Sequence, residues 1–332
     1  MNHMSKISHS VLRSWWNSNC KLTCDDLVLP IFVSEDQSAY EPIPSMPDVF
    51  RIGVSRLYEY IDPLSKMGLK SVILFGVLNT ADSKDETGSP ADDEAGPVVK
   101  AISLLCKQFP DLLICCDVCL CEYTSHGHCG ILNADGSINN AASISRISEV
   151  ACAYAKAGAH VVAPSDMMDN RIRAIKSALK LAGDSKTCIM SYSSKFSSSM
   201  YGPFRDACKS GPQFGDRKTY QLPLGSSQLG LLTTERDIGE GADIVMVKPG
   251  MFYLDVVKAI KTRFSENLLA VYQVSGEYVM LHDYATKSEN FKRIVCESMF
   301  SLKRAGADIM ISYFTPVVLK WLQENGGVLT PS

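Results

Sequence analysis

Eight short apolar runs alternate with helical segments along most of this chain of 332 residues, and this alternation restricts the fold most strongly. The runs cover residues 27–33, 71–77, 112–120, 160–166, 187–193, 244–250, 269–276 and 308–316. Helical spacing of apolar residues recurs between them, as in 98–109, 171–182 and 291–305. The sequence therefore predicts an α/β protein, a (β/α)8 TIM barrel formed by residues 25–332. An open doubly wound sheet is the alternative.

A weak internal repeat supports closure of the predicted sheet. Gly68 and three Gly-Ala pairs each precede a predicted strand, and the seventh residues after these glycines are Phe75, Ser165, Lys248 and Tyr313. Because alternate residues of a strand share a face, we expect these four side chains to point into one barrel mouth. The active sites of such barrels lie at the carboxyl ends of the strands.

Composition argues against several kinds of partner and location. The net charge of only -3 gives no reason to expect a nucleic acid or an anionic membrane as partner. No apolar run approaches the ~20 residues of a membrane helix. The first twenty residues lack the features of a signal or transit peptide, so we expect a cytoplasmic protein.

Three segments lie outside the alternation of strands and helices. Residues 1–24 show no clear period but contain Trp15 and Trp16, and we expect an N-terminal arm that packs on another subunit. Residues 79–97 form an acidic loop, and residues 196–225 form a long basic one. Long structureless loops in compact domains are usually functional or disordered. Because 196–225 follows a strand end and is basic, we interpret it as a lid over an anionic substrate. A merely solvated basic loop is the alternative.

Two lysines stand at the ends of neighbouring predicted strands. Lys248 ends an apolar run and is followed by Pro249 and Gly250, while Lys195 follows the strand before it. Burial and a neighbouring positive charge both favour the neutral amine of a lysine. A neutral amine attacks carbonyl carbons and forms Schiff bases. Taken alone, Lys248 has the alternative of extending out of the strand end to solvent or pairing with a carboxylate, and Lys195 that of a surface lysine.

Cysteines are concentrated where the third predicted strand ends. Twelve cysteines without an export signal indicate a reducing compartment, where clustered cysteines are typical of metal binding or catalysis. Cys119, Cys121 and Cys129 have the spacing C-x-C-x7-C, and three thiolates suit Zn²⁺ with one open position. His126 or His128 would instead complete a closed structural site, and free buried cysteines are a further alternative.

Four motifs occur together in this chain: Cys119-x-Cys121 with Cys129, Ser191-Tyr192-Ser193-Ser194-Lys195-Phe196, Tyr201-Gly202-Pro203-Phe204-Arg205-Asp206 and Val247-Lys248-Pro249-Gly250. They closely resemble the motifs of the porphobilinogen synthase (5-aminolevulinate dehydratase) family of the zinc-dependent type. The likeness runs from about residue 27 to the C-terminus. It implies a barrel enzyme of tetrapyrrole (heme) synthesis that condenses two molecules of 5-aminolevulinate to porphobilinogen with loss of two waters.

The resemblance also implies roles for the matching residues. Lys248 and Lys195 match the Schiff-base lysines on the propionate and acetate sides. The ligands of the catalytic zinc are matched by Cys119, Cys121 and Cys129. Residues that contact the substrates are matched or suggested at Arg205, Arg217, Ser275, Tyr313, Asp117, Ser165, Tyr201 and Phe75. The family forms homo-octamers built from arm-hugging dimers, so residues 1–24 are expected to serve assembly.

Some positions depart from the family pattern. Thr219 stands where some members have a cysteine that holds a second zinc together with the match to His128. Residues 231–235 lack the Arg-Glu-Ala run of members activated by magnesium, and Phe252 replaces a usual proline. A Schiff-base aldolase that needs no metal, and a non-catalytic zinc-binding barrel, are the alternative functions.

Overall fold

The chain forms a closed barrel of parallel strands. The computed structural model describes residues 4–17 and 20–331. In chain order the strands are β1 (Leu27–Ser34), β2 (Tyr40–Pro42), β3 (Phe50–Gly53), β4 (Ser71–Val77), β5 (Leu113–Val118), β6 (Val161–Pro164), β7 (Cys188–Lys195), β8 (Ile244–Lys248), β9 (Leu268–Gln273) and β10 (Ile309–Ser312). Strands β1 and β4–β10 pair in chain order, and Leu27 of β1 lies opposite Met310 of β10. The predicted (β/α)8 barrel is confirmed, and the open sheet is excluded.

Helices lie between or after the barrel strands, and also in the N-terminal segment and in the loop 196–225. They are α1 (Ser10–Trp16), α2 (Leu57–Lys66), α3 (Pro97–Gln108), α4 (Asn140–Ala157), α5 (Arg171–Leu181), α6 (Gly202–Ala207), α7 (Ser227–Glu240), α8 (Leu254–Arg263), α9 (Ser275–Thr286), α10 (Phe291–Ala305) and α11 (Thr315–Glu324). The repeated Gly-Ala pairs mark helix ends. Gly158 and Gly241 follow α4 and α7 with φ of 112° and 104°, a left-handed conformation that glycine adopts without strain.

The strands are buried on both faces, which explains their unbroken apolar runs. Every residue of β1, β4 and β8 is buried. The predicted strands at 112–120, 160–166, 269–276 and 308–316 extend beyond the observed ladders, because the chain stays buried after it leaves the sheet. Conversely, β7 extends two residues further than predicted, to Lys195, through an irregularity between Ser191 and Ser194.

Three short elements of the barrel and the loop 196–225 were not expected from the sequence. Strands β2 and β3 form an antiparallel pair, and β3 also pairs parallel with β1, on the side of β1 away from β4. Helix α6 lies within residues 196–225, which were predicted to be a loop without regular structure.

The N-terminal segment is exposed at its start and packs on the barrel at its end. The exposed ring of Trp16 donates its Nε1 hydrogen to the carbonyl of Lys6, while the side chain of Trp15 lies outside the described residues. Leu22 is fully buried and bridges Leu329, so the last residues of the expected arm pack on the barrel. Among the described residues, no helix is both long enough and apolar enough to cross a membrane.

Candidate active site

The carboxyl ends of the strands bring the two predicted lysines together. Lys195 of β7 and Lys248 of β8 are direct partners in the parallel ladder, and each side chain is 5% exposed. The irregularity in β7 matters here because a regular ladder continuing from Ser191 opposite Val245 would put Ser194, not Lys195, opposite Lys248. Both amines line the same small cavity at the barrel mouth.

Aromatic rings surround the amine of Lys248. Its Nζ lies 4.4 Å from the ring centre of Tyr272, 4.9 Å from Phe204, 5.0 Å from Tyr192 and 5.4 Å from Tyr201. Burial, and after it the positive charge of Lys195, lowers the pKa of Lys248 to about 7. About half of this amine is therefore neutral, and nucleophilic, near neutral pH.

Lys195 contacts a polar group on the neighbouring strand. Its Nζ donates a hydrogen bond to the carbonyl of Ser165, just beyond β6. The hydroxyl of Ser165 donates in turn to Oδ2 of Asp117 over 3.0 Å. Burial, followed by the nearby carboxyl of Glu122, raises the pKa of Asp117 to about 7, although both lysines oppose the rise. Asp117 can therefore hold or release a proton at neutral pH.

Further aromatic side chains form one wall of the barrel mouth. Phe75 meets Phe204 edge to face, with ring centres 5.1 Å apart, and the hydroxyl of Tyr313 lies 3.0 Å from that of Tyr272. Lys248 thus lies on the same side as Phe75 and Tyr313. The four strand-end residues from the internal repeat do converge at one mouth, with Ser165 beside Lys195.

Ser275 and Tyr201 hold the first part of the lid. The hydroxyl of Ser275 accepts the backbone N–H of Phe204 at 2.9 Å and donates to the carbonyl of Met200 at 3.2 Å. The hydroxyl of Tyr201 donates to the carbonyl of Phe196 at 2.6 Å and to that of Lys248 at 3.2 Å. Both side chains therefore connect the lid to strand ends in this conformation.

The three predicted cysteines form one cluster. The Sγ atoms of Cys119, Cys121 and Cys129 all lie within 4.8 Å of one another, and all three side chains are buried. Hydrogen bonds from the thiols of Cys119 and Cys121 hold the pKa of Cys129 well below its usual range. A buried set of three converging sulfurs, one of them favoured as a thiolate, fits a soft divalent metal ion.

The two histidines make other contacts. Nδ1 of His128 lies 3.1 Å from the hydroxyl of Tyr220, and its Nε2 lies 3.0 Å from the carbonyl of Phe214. Nε2 of His126 lies 3.2 Å from the carbonyl of Glu86. Neither ring belongs to the group of ligand atoms formed by the cysteines. His128 and Thr219 instead line a surface cavity of about 930 Å³.

The lid, residues 196–225, directs two arginines at the lysines. Arg205 and Arg217 line the same cavity, and each has a buried Nε without a hydrogen-bond partner among the described residues. Nη2 of Arg217 donates to the carbonyls of Gly127 and Ser210. Arg51 fixes α6 by donating to the carbonyls of its last two residues. The enclosed cavity has a volume of about 20 Å³, so the lid is closed on the lysines.

Sequence reasoning missed two polar residues of this cavity. Glu122 is 3% exposed, and its carboxylate lies 3.3 Å from Sγ of Cys121. Gln221 is also 3% exposed, and neither polar atom of its amide has a partner among the described residues. Glu122 could have been noticed as the one carboxylate inside the cysteine motif. Gln221 has no comparable sequence signal.

Paired buried lysines beside a metal-type cysteine cluster, at the mouth of a (β/α)8 barrel, define this chain as an enzyme. Comparisons with known proteins give the same result. Residues 2–321 match the family described as delta-aminolevulinic acid dehydratase. The curated delta-aminolevulinic acid dehydratase of Pongo abelii is 51% identical over 319 residues, 96% of each chain. That of Archaeoglobus fulgidus is 42% identical over 96% of this chain and 98% of its own.

A solved structure agrees in fold over nearly the whole length. It is the delta-aminolevulinic acid dehydratase (porphobilinogen synthase) of Toxoplasma gondii in complex with the reaction product porphobilinogen, at 36% identity and a TM-score of 0.94. The match covers 98% of this chain and 92% of that one. The chain belongs to the delta-aminolevulinic acid dehydratase family, the porphobilinogen synthases, which are hydro-lyases.

Proposed function

We propose that this chain condenses two molecules of 5-aminolevulinate to porphobilinogen, with loss of two waters, through Schiff bases on Lys248 and Lys195. The observation that carries the proposal is the pair of buried lysines on neighbouring strands, one of them with a pKa of about 7. Its neutral amine attacks the ketone of the first substrate, and the surrounding aromatic rings exclude water from the imine. Lys195 forms the Schiff base with the second substrate.

Polar neighbours of the lysines supply proton transfer and orientation. Asp117, with a pKa of about 7 and a hydrogen bond from Ser165, takes and returns protons beside the two amines. Zn²⁺, held by Cys119, Cys121 and Cys129, would act when bound as a Lewis acid toward the second ketone or amine.

The lid binds the carboxylate of one substrate, and residues on the other side of the barrel mouth bind the carboxylate of the other substrate. The free Nε groups of Arg205 and Arg217 support binding of the carboxylate on the Lys195 side, because a guanidinium pairs bidentately with a carboxylate. Ser275 and Tyr313 bind the other carboxylate, and Tyr201 and Phe75 complete the wall. A cavity of about 20 Å³ is far smaller than either substrate, so the lid opens during each cycle.

We further propose a cytoplasmic homo-oligomer, an octamer, assembled through residues 1–24. Several exposed apolar side chains in this short segment support the assignment, since groups of such side chains commonly mark an interface; they are Met4, Ile7, Val11 and Trp16. A role for residues 1–24 in assembly is also what the family likeness implies.

Incubation of the purified protein with 5-aminolevulinate, followed by assay for a pyrrole product, tests the proposed reaction. Borohydride reduction during the reaction should trap an adduct on Lys248, and Lys248→Ala should abolish both the adduct at that site and turnover. Lys180→Ala, which changes an exposed lysine on α5, is the matched control and should keep full activity. An active Lys248→Ala protein would refute the proposal.

A further inference from the structure

One tyrosine lies against both lysines, and its hydroxyl has no part in the proposed roles. Tyr192 lies in β7, three residues before Lys195, and is fully buried. Its ring centre lies 5.0 Å from Nζ of Lys248 and 5.6 Å from Nζ of Lys195. Among the described residues, it is the one aromatic ring over which both amines lie.

The hydroxyl of Tyr192 makes no well-formed hydrogen bond among the described residues, although the carboxyl of Asp117, whose Oδ1 is also unpaired there, lies near it. Other buried tyrosines are paired: the hydroxyls of Tyr272 and Tyr313 lie 3.0 Å apart, and those of Tyr123 and Tyr154 lie 3.2 Å apart. Nearly all buried polar groups in proteins are hydrogen-bonded, so each exception calls for an explanation. A buried unpaired hydroxyl beside two reactive amines is explained if a ligand supplies its partner.

This hydroxyl also keeps its proton. Burial, and after it the nearby carboxyl of Asp117, raises the pKa of Tyr192 well above its usual value. Tyr192 is therefore available as a hydrogen-bond donor throughout the pH range in which Lys248 is a nucleophile.

We propose that Tyr192 is a further catalytic residue, whose hydroxyl donates a hydrogen bond to the ketone oxygen of the substrate that Lys248 attacks. This inference rests on the proposed function. In the addition step, the lone pair of the amine forms the C–N bond, and the carbonyl π pair moves to oxygen. A proton then passes from nitrogen to that oxygen and gives the neutral carbinolamine. Tyr192 keeps its own proton and stabilises the negative charge that develops on oxygen.

The test compares Tyr192→Phe with wild type in the zinc-loaded protein. The rate at which borohydride traps the adduct with 5-aminolevulinate on Lys248 should fall by about 100- to 1,000-fold, as for other donors to a developing oxyanion. The melting temperature without substrate should stay the same or rise, because the change removes a buried hydroxyl that has no partner.

Tyr154→Phe is the matched control. It also removes a buried tyrosine hydroxyl, but one that is paired and lies on α4. This variant should lose thermal stability and keep the wild-type trapping rate. Equal trapping rates in Tyr192→Phe and wild type would overturn the inference, and so would a loss of melting temperature like that of Tyr154→Phe. Absence of any adduct on Lys248 in wild type would instead contradict the proposed function.

Discussion

The positive charge of Lys195 contributes to the reactivity of Lys248, in addition to any chemical role of Lys195. It is the second cause, after burial, of the low pKa of Lys248. Two charges at the ends of neighbouring strands, about 5–8 Å apart, repel by roughly 2–3 kcal/mol at an effective dielectric constant of about 20. Since about 1.4 kcal/mol corresponds to one pKa unit, removal of this charge should raise the pKa of Lys248 by about 1–2 units.

Lys195→Met tests this reasoning, and Lys195→Arg is its control. Neither variant can form a Schiff base at position 195, but Arg keeps the charge. In wild type about half of the Lys248 amine is neutral at pH 7, because its pKa is about 7. With the charge removed, the neutral fraction should drop to about 1–10%, so borohydride trapping on Lys248 should slow by about 5- to 50-fold at that pH.

The assay is the rate of trapping on Lys248 as a function of pH. The rate should rise through a midpoint near pH 7 in wild type and Lys195→Arg, and about 1–2 units higher in Lys195→Met. All three rates should converge at alkaline pH, where the amine is neutral in each protein. The electrostatic explanation fails if Lys195→Met titrates like wild type, or if the two variants share one shifted midpoint.

Three further outcomes are expected. Cys121→Ala should lose both bound zinc, measured by elemental analysis, and activity. Chelation of the wild-type protein should stop turnover without unfolding the barrel, which circular dichroism would show. Full activity of metal-free protein would contradict both expectations. Arg205→Ala should lower kcat/KM by about 10- to 150-fold in steady-state kinetics. Arg217→Ala should do the same and also lower the melting temperature, because Arg217 bonds two backbone carbonyls; unchanged kinetics in both would mean that the lid is only solvated. Deletion of residues 1–17, which spares the buried Leu22, should reduce the mass measured by light scattering, and an unchanged mass would make the arm peripheral.

The barrel could be predicted because its strands are buried on both faces. Such strands appear in sequence as unbroken apolar runs, and the helix ends before them carry recognisable glycines. Strand ends were less predictable, because the chain around Cys119 and Ser165 stays buried after its ladder ends. The pair β2–β3 was missed because it is short and β2 is exposed.

The parts of the candidate site also differ in how far the sequence predicts them. The cysteine cluster is nearly local in sequence, so its spacing predicted it. The register of Lys195 depends on the irregularity in β7, within a run of buried serines that gives no apolar signal. Gln221 reaches the cavity only because the lid folds back onto the barrel, and this long-range contact leaves no mark in the nearby sequence.

The pairing of Lys195 opposite Lys248 has a kinetic consequence. Neighbouring strands of a sheet lie about 4.8 Å apart, a distance fixed by backbone hydrogen bonds rather than by side chains. Two substrates attached to these lysines would meet as parts of one molecule, and well-oriented intramolecular reactions reach effective concentrations of about 10⁵ M or more. The spacing of the two strands would then determine the distance between the two substrates when the bond between them forms.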